Sequence, residues 1–322
     1  MPASTDLFVP DPVVGAVDAD WSLAARELEH DPGAPLNVGW YCADRICLQG
    51  HARRPALVWE DHQGHRRTYT FDGLRLRSDA IAQYLRGLGL GPGERICLFL
   101  DRVPELYIGF LGILKMGGIA QPLFSAFGDE ALWMRLDDAG TAAIITQRKH
   151  LAKVRKARER LSALRLVLVV DAGDARLHEG ERPLVLESLR PPGRFELHAT
   201  DADTPSVLHY TSGTTGRPKG ALHVHGALVA QYLTAKVVLD LRPDDVYWCN
   251  ADPGWVTGTS YGIIGPWSNG ITQVVLDSGF NSQRWYQFLE RHRVTVWYSA
   301  PTAIRLLMRD GIDLVRRFDL SS

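Results

Sequence analysis

The sequence has 322 residues, of which 45% are hydrophobic and 23% charged, and its formal net charge is -1. This size and composition are typical of a globular chain with one large or two ordinary domains. The balanced charge excludes partners that are recognised through bulk charge, such as nucleic acid or an anionic membrane surface. No apolar run approaches the ~20 residues that span a bilayer, and four cysteines without zinc-ligand or CxxC spacing indicate free thiols in a reducing cytoplasm.

The first 35 residues are rich in Pro, Asp and Ala and contain no positive n-region of a secretory signal. We interpret residues 1–35 as a lead-in that is extended or partly helical and packs on the surface. A regular pattern of strands and helices begins near residue 56, so we assign residues 36–322 to one domain.

Apolar and polar residues alternate or cluster as expected for strands and helices in turn. The first two strands form a hairpin, and helices end at glycines or begin at Pro104. The predicted strands are 56–60, 66–70, 95–100, 142–146, 166–170, 272–276 and 294–298, the last of them buried, and the predicted helices include 72–88, 104–116 and 301–308.

Alternating strands and helices predict an α/β fold with stacked, mostly parallel sheets sandwiched by helices. The sequence stops soon after the strand at 294–298 and contains no later strand to cover it. We therefore expect an incomplete domain and an N-terminal fragment of a longer protein, with an apolar patch at the truncated sheet.

A basic run at 148–160 is the strongest charge cluster in the sequence. One interpretation is a solvated helix face. The other is a surface that attracts the phosphates of a nucleotide-like thiol ester carrier.

Residues 210–220, with the sequence YTSGTTGRPKG, combine three glycines, four hydroxyl residues and one lysine. Glycines let several backbone N–H groups converge on one ligand, and the hydroxyls and the lysine add donors and a positive charge. This content suits a polyphosphate, and we expect 211–219 to be exposed and without regular secondary structure. A flexible linker is the alternative, although a linker has no reason to place Pro-Lys-Gly between two apolar strands.

The flanks of this loop distinguish it from a Walker A loop, in which Gly precedes the Lys and Ser or Thr follows it. Here Pro218 precedes Lys219 and Gly220 follows. Residues 206–210 and 221–225 read as strands, and a helix begins near Gly226. The order is therefore strand, phosphate loop, strand and helix.

The loop and four other segments resemble the adenylate-forming superfamily, and within it the acetyl-CoA synthetases. The similarity runs in order along nearly the whole sequence. The segments are NVGWYCADR at 37–45, YTF at 69–71, ADPGWVTG at 251–258 and WYSAPTAIR at 297–305.

The resemblance implies that 36–322 is an incomplete AMP-binding (adenylation) domain of an acetate–CoA ligase. Such an enzyme converts acetate and ATP to acetyl-adenylate and pyrophosphate, and coenzyme A then displaces AMP. Magnesium is implied by the chemistry and not by any residue, so the implied partners are acetate, ATP and coenzyme A, with no nucleic acid or membrane. The resemblance implies that the ATP phosphates are bound by Thr211, Ser212, Gly213, Thr214, Thr215, Gly216 and Lys219.

Lys219 is the implied catalytic residue, as a stabiliser of charge on the leaving pyrophosphate and not as a base. Trp255, Val256 and Thr257 are the implied wall of the acyl pocket and of the entrance for coenzyme A. Packing in the core is the alternative for Trp255, and a simple turn is the alternative for residues 252–254.

Three histidines at 209, 223 and 225 suggest a metal site, but no carboxylate or cysteine has matching spacing. A packed or capping role is favoured. Other substrates remain open, namely propionate, a medium-chain acid or an aryl acid, as does a non-catalytic binding module. The coding sequence downstream of Ser322 would discriminate between the ligase and the binding module.

We predict that residues 1–322 alone make no acyl-CoA from acetate, ATP and coenzyme A. The segments to which the resemblance assigns adenine stacking, ribose binding and a lid lysine are not in this sequence. Positioning of reactants accounts for ~7–11 kcal/mol of a barrier. An assay of AMP release measures the activity, with Lys219→Ala as the control, and turnover above that control contradicts the prediction.

Overall fold

The structure is a computed structural model that describes residues 21–29, 35–211 and 217–322. Their strands are β1 (Pro55–Asp61), β2 (Arg66–Thr70), β3 (Arg95–Phe99), β4 (Ile119–Pro122), β5 (Ala143–Thr146), β6 (Leu166–Val169), β7 (Glu181–Pro183), β8 (Pro205–Thr211), β9 (Lys219–Val224), β10 (Val246–Cys249), β11 (Thr272–Asp277) and β12 (Val296–Tyr298). Their helices are α1 (Trp21–Glu27), α2 (Val38–Tyr41), α3 (Asp44–Ile46), α4 (Phe71–Gly87), α5 (Pro104–Lys115), α6 (Asp129–Ala139), α7 (Leu151–Arg158), α8 (Ala227–Val238), α9 (Val256–Thr259), α10 (Gly265–Ser268), α11 (Ser282–His292), α12 (Pro301–Arg309) and α13 (Ile312–Val315).

The strands form two sheets. The seven-stranded sheet has the order β7-β6-β5-β3-β4-β8-β9, and only β9 runs antiparallel to its neighbour. The five-stranded sheet has the order β12-β10-β11-β1-β2, and only β2 runs antiparallel. The predicted α/β fold with mostly parallel sheets is therefore confirmed.

Side chains alternate between two faces of each sheet, as a strand requires. Leu98 of β3 and Leu57 of β1 lie in one core that also contains α4 and α5. Phe99 faces the other side of its sheet and packs with Leu132 of α6 and Val154 of α7. The outer face of the five-stranded sheet is covered by α11 and α12. Both sheets are thus sandwiched by helices, as predicted.

Most predicted elements are confirmed to within one or two residues at each end. The Thr70 hydroxyl accepts a hydrogen bond from the Gly73 N–H at 3.1 Å and caps α4. Pro104 occupies the first turn of α5, where its missing N–H costs no helical hydrogen bond. No helix within the described ranges is long and apolar enough to cross a membrane.

The last strand differs from the prediction. Residues 294–298 were expected to form a buried strand, but β12 is half-buried along its length. It lies at the edge of its sheet and, in the part of the chain that the structure describes, pairs only with β10. An edge strand has one neighbour and is therefore less covered than an interior strand.

The lead-in is described only at 21–29 and at 35. Ala24 and Leu28 are buried, and the hydroxyl of Tyr232 on α8 donates to the Glu27 carbonyl at 2.9 Å. This part of the lead-in is helical and packs against α8. The predictions for residues 1–20 and 30–34 lie outside the described residues, and the division at residue 35 remains a prediction.

Helix α5 carries one fully buried cation. Lys115 is 0% exposed, and its Nζ lies 2.5 Å from Asp44 Oδ2 and 2.8 Å from Asp79 Oδ1. Burial raises the pKa of Asp44, and Lys115 opposes that rise. Asp44 and Asp79 belong to α3 and α4, so the cation joins three helices.

We predict that Lys115→Met lowers the free energy of unfolding by about 3–5 kcal/mol, because it leaves the buried carboxylate of Asp79 and the partly buried carboxylate of Asp44 without their cation. Urea-induced unfolding measures the change. Lys156→Met is the matched control, since Lys156 forms a pair of similar length, 2.5 Å, with Asp129 on the exposed surface. Equal stability of the two variants would contradict the prediction.

Candidate functional site

The predicted phosphate loop lies between two paired strands. β8 and β9 are antiparallel, and Thr211 is paired with Lys219 at their ends. Both residues are exposed. The expectation that 211–219 lacks regular structure is therefore wrong at its two ends, because pairing between the strands satisfies the backbone groups there. Residues 212–216 lie outside the described residues, so Ser212, Gly213, Thr214, Thr215 and Gly216 keep their predicted roles as predictions.

Tyr210 anchors the strand that enters this loop. Its side chain is 4% exposed, and its hydroxyl donates to Asp138 Oδ2 at 2.6 Å. The Arg135 guanidinium lies 5.9 Å from the Tyr210 ring and 4.2 Å from the Phe127 ring. Burial raises the pKa of Tyr210, so its phenol remains a donor. These contacts hold the end of β8 against α6.

The predicted acyl wall follows β10. The Gly254 N–H donates to Asp252 Oδ1 at 2.8 Å in a tight turn, and α9 then begins at Val256. Trp255 is 44% exposed and Val256 39% exposed, and Thr257 is exposed as well. The alternative, that Trp255 packs in the core, is therefore not supported. The three residues form one exposed surface.

Two phenylalanines extend this surface. The ring centroids of Phe124 and Phe127 lie 6.0 and 6.1 Å from that of Trp255 and 5.8 Å from each other. Both rings come from the connection between β4 and α6. Sequence reasoning missed them, although two aromatic residues directly after a buried parallel strand are a usable signal, because ligands bind beyond the carboxyl ends of such strands.

The backbone at Gly254, which precedes the wall, lies very close to the backbone of the connection between β4 and α6. A Cβ atom on Gly254 would overlap the backbone of Phe124, and one on Gly258 would overlap the carbonyl of Asp252. The turn at Gly254 belongs to the five-stranded sheet, whereas Phe124 follows a strand of the seven-stranded sheet. Only glycine permits the two sheets to meet this closely.

Arg102 makes a second link between the sheets. It follows β3, and its guanidinium donates to the carbonyls of Asn250 at 3.3 Å and Ser278 at 2.6 Å. Those carbonyls lie just beyond β10 and β11. The carboxyl ends of strands from both sheets therefore converge, which is where open α/β sheets bind ligands.

His209 and His225 are buried and packed, as the sequence favours, and His223 is half-buried. His209 Nε2 lies 2.7 Å from Thr259 Oγ1, and His225 Nδ1 accepts from the Val38 N–H at 3.1 Å. Burial lowers the pKa of His209 to about 3 and of His225 to about 4. Both rings are therefore neutral near pH 7. Within the described ranges, no group of three or more His, Cys, Asp or Glu side chains is placed to hold a metal ion.

The basic run at 148–160 is part of a network of local contacts, which favours the solvated-face interpretation. Lys153 donates to the carbonyls of Ser125 and Phe127, and Arg158 donates to that of Glu179. The other cations pair with carboxylates, as Arg148–Asp174, Lys149–Asp101, Arg155–Glu181, Lys156–Asp129 and Arg160–Glu130.

Comparison with known proteins identifies relatives of this chain. Residues 45–322 match the family model described as AMP-binding enzyme. The acetyl-coenzyme A synthetase of Bacillus subtilis is 38% identical over 304 residues, which cover 94% of this chain and 52% of that protein. The chain thus spans about half the length of the curated relatives it matches.

Solved structures give the same fold. The acyl-CoA synthetase of Brucella canis superposes with a TM-score of 0.84 at 29% identity, over 92% of this chain and 53% of that one. The acetoacetyl-CoA synthetase of Streptomyces lividans superposes with a TM-score of 0.85 at 21% identity, over 96% of this chain and 52% of that one. At that identity the second likeness concerns the fold alone.

We predict that Gly254→Ala lowers the free energy of unfolding by about 1–3 kcal/mol, because the new methyl group meets backbone that no side-chain rotation can relieve. Thermal unfolding measures the loss. Gly279→Ala is the control, since a Cβ at Gly279 meets open space. A Gly254→Ala variant as stable as the control would show that the two sheets can separate at this point without cost.

Proposed function

The chain belongs to the AMP-binding enzyme family, and we propose that its protein is an acid–thiol ligase that activates a carboxylic acid with ATP and passes the acyl group to coenzyme A. The observation that carries this proposal is the junction described above. Thr211 and Lys219 lie at the edge of the seven-stranded sheet where its parallel strands end. The exposed wall lies at the corresponding edge of the five-stranded sheet and consists of Trp255, Val256 and Thr257.

The first step is adenylation. A carboxylate oxygen attacks the α-phosphorus of ATP, the bond to the bridging oxygen breaks, and pyrophosphate leaves with the electron pair. We assign Lys219 to the charge that develops on this leaving group, together with the backbone N–H groups and hydroxyls of residues 211–216. Lys219 is exposed and is the first residue of β9, directly after the loop.

The second step is thiolation. The sulfur of coenzyme A attacks the acyl carbon, AMP leaves, and the thiol proton passes to solvent. We assign Trp255, Val256 and Thr257 to the wall that holds the acyl group and borders the entrance for the thiol. The rings of Phe124 and Phe127 stiffen this wall by packing against Trp255.

Magnesium belongs to the nucleotide in this proposal. The described residues offer no carboxylate cluster for a resident metal ion. A magnesium ion would be carried by the ATP phosphates, and when bound it would neutralise part of their charge.

Acetate is the acid we propose. Its support is the similarity to acetyl-coenzyme A synthetases at 38% and 36% identity. A stiff aromatic and β-branched wall also suits a small acid better than a long one. Propionate and longer or aryl acids are the comparison substrates of the test.

The test is ATP–pyrophosphate exchange by the protein expressed from its complete gene, with acetate, propionate, octanoate and benzoate. Exchange that is fastest with acetate supports the proposal. Exchange with another acid preserves the ligase and corrects the substrate. No exchange with any acid, by protein that is folded and binds ATP, would favour a non-catalytic binding module.

We predict that Lys219→Ala slows ATP–pyrophosphate exchange by about 10²–10³-fold, because one stabilising charge is removed from the leaving pyrophosphate. Thiolation of preformed acetyl-adenylate should change little, since pyrophosphate has departed by then. Lys156→Ala, on the outer face of α7, is the control. Equal losses in both half-reactions would show that the lysine supports the fold instead.

A further inference from the structure

We propose that His209 is a positioning residue, which holds Thr259 and, through it, the carbonyl of Val256 in the acyl wall. This inference rests on the proposed function, because it assigns a task to a residue that none of the steps above uses. His209 lies two positions before Thr211, on the strand that enters the phosphate loop. The contact therefore connects the ATP side of the site to the acyl side.

The geometry is a chain of two hydrogen bonds. His209 Nε2 lies 2.7 Å from Thr259 Oγ1, and the Thr259 hydroxyl lies 3.0 Å from the Val256 carbonyl oxygen. His209 is 3% exposed and Thr259 is 2% exposed. The bond between His209 and Thr259 is thus shielded from bulk water, which strengthens it.

The two bonds together determine the tautomer of the imidazole. A threonine hydroxyl has one proton, and Thr259 donates it to the Val256 carbonyl, which has none to give. The ring nitrogen at 2.7 Å must therefore donate, so His209 carries its proton on Nε2 and its Nδ1 is a bare acceptor. Because burial holds the pKa of His209 near 3, the ring does not take a second proton at neutral pH.

His209 acts through Thr259 and does not touch substrate. The two residues line a cavity of about 10 Å³, together with Gln231, Ser260 and others. A space of that size admits roughly one water molecule and neither a nucleotide nor an acid. The buried ring of His209 therefore has no open path to a substrate in this structure, and we assign it the support of the wall.

Support of this kind matters because Val256 begins a helical segment, which continues from α9 through a π-helical turn at Ser260–Ile264 into α10. The first turn of a helix frays more readily than its interior, because its N–H groups have no intrahelical partners. Val256 is exposed in the wall, whereas Thr259, one turn further along, is buried against His209. Without the hydrogen bond, Val256 can shift relative to the loop that binds the phosphates, and attack geometry is lost.

The experiment compares four single variants and one double variant in ATP–pyrophosphate exchange. Thr259→Val and His209→Leu remove one partner each and should lower kcat/KM for the acid about 3- to 10-fold, the range of one net hydrogen bond, with little change in KM for ATP. Thr259→Ser and His209→Gln keep the hydroxyl and a donor, and should recover most of the activity. The double variant His209→Leu/Thr259→Val should be no worse than the poorer single variant.

Additive losses in the double variant, or loss of activity in Thr259→Ser equal to that in Thr259→Val, would overturn the proposal. If His209→Leu fails to fold, the two Thr259 variants still decide the matter. If the Thr259 and His209 variants only destabilise the fold, their melting temperatures fall and kcat/KM shows no selective loss for the acid. That result would also overturn the proposal.

A second measurement does not depend on activity. Nitrogen-15 NMR of histidine-labelled protein, with His209→Gln to assign the signal, should show a proton on Nε2 and a bare Nδ1, and Thr259→Val should shift both resonances. A proton on Nδ1 overturns the hydrogen-bond chain. The expected tautomer in a protein that shows no exchange with any acid would leave the contact intact and would reject the proposed function instead.

Discussion

The whole fold depends on a helix that cannot face water. All twelve residues of α5 are buried, because the helix lies in the layer shared by the two sheets. A helix that is apolar all round suits such a position, and its charged residues then need partners. Glu105 Oε1 lies 2.8 Å from the Arg67 guanidinium, and Lys115 pairs with Asp44 and Asp79. These ion pairs connect α5 to α3, to α4 and to the hairpin of β1 and β2.

The same layer decides how closely the sheets approach each other. A Cβ atom on Gly112 of α5 would lie 2.9 Å from the Ser78 carbonyl oxygen of α4, so the helices touch backbone to backbone. Strands on both sides of this layer are mostly parallel, and their carboxyl ends meet at one place. Arg102, Gly254 and the contact of His209 with Thr259 all cross that junction. In the function proposed above, the seven-stranded sheet would supply the phosphate loop and the five-stranded sheet the acyl wall.

Charged and ionisable groups show how tertiary contacts select between interpretations that sequence leaves open. The basic run at 148–160 looks like an anion-binding surface, yet its cations are paired with carboxylates or carbonyls that are far away in sequence. The histidines at 209 and 225 look like metal ligands, yet burial makes each a neutral hydrogen-bonding group. In both cases the partner of the charged or ionisable side chain belongs to another element of the fold, and that partner determines its role.

Sequence by itself determined the order of the elements, the α/β class and the loop between β8 and β9, because periodicity, caps and glycine content act over a few residues. It also marked Trp255, Val256 and Thr257 as a unit. It could not show that Phe124 and Phe127 join this wall, that β12 is only half-buried or that His209 reaches Thr259. Those facts depend on which strands become neighbours and on how closely two sheets stack. They were decided by packing between residues up to 131 positions apart, such as Phe124 and Trp255. Local spacing carries no information over that distance, and only burial of the shared core selects the arrangement.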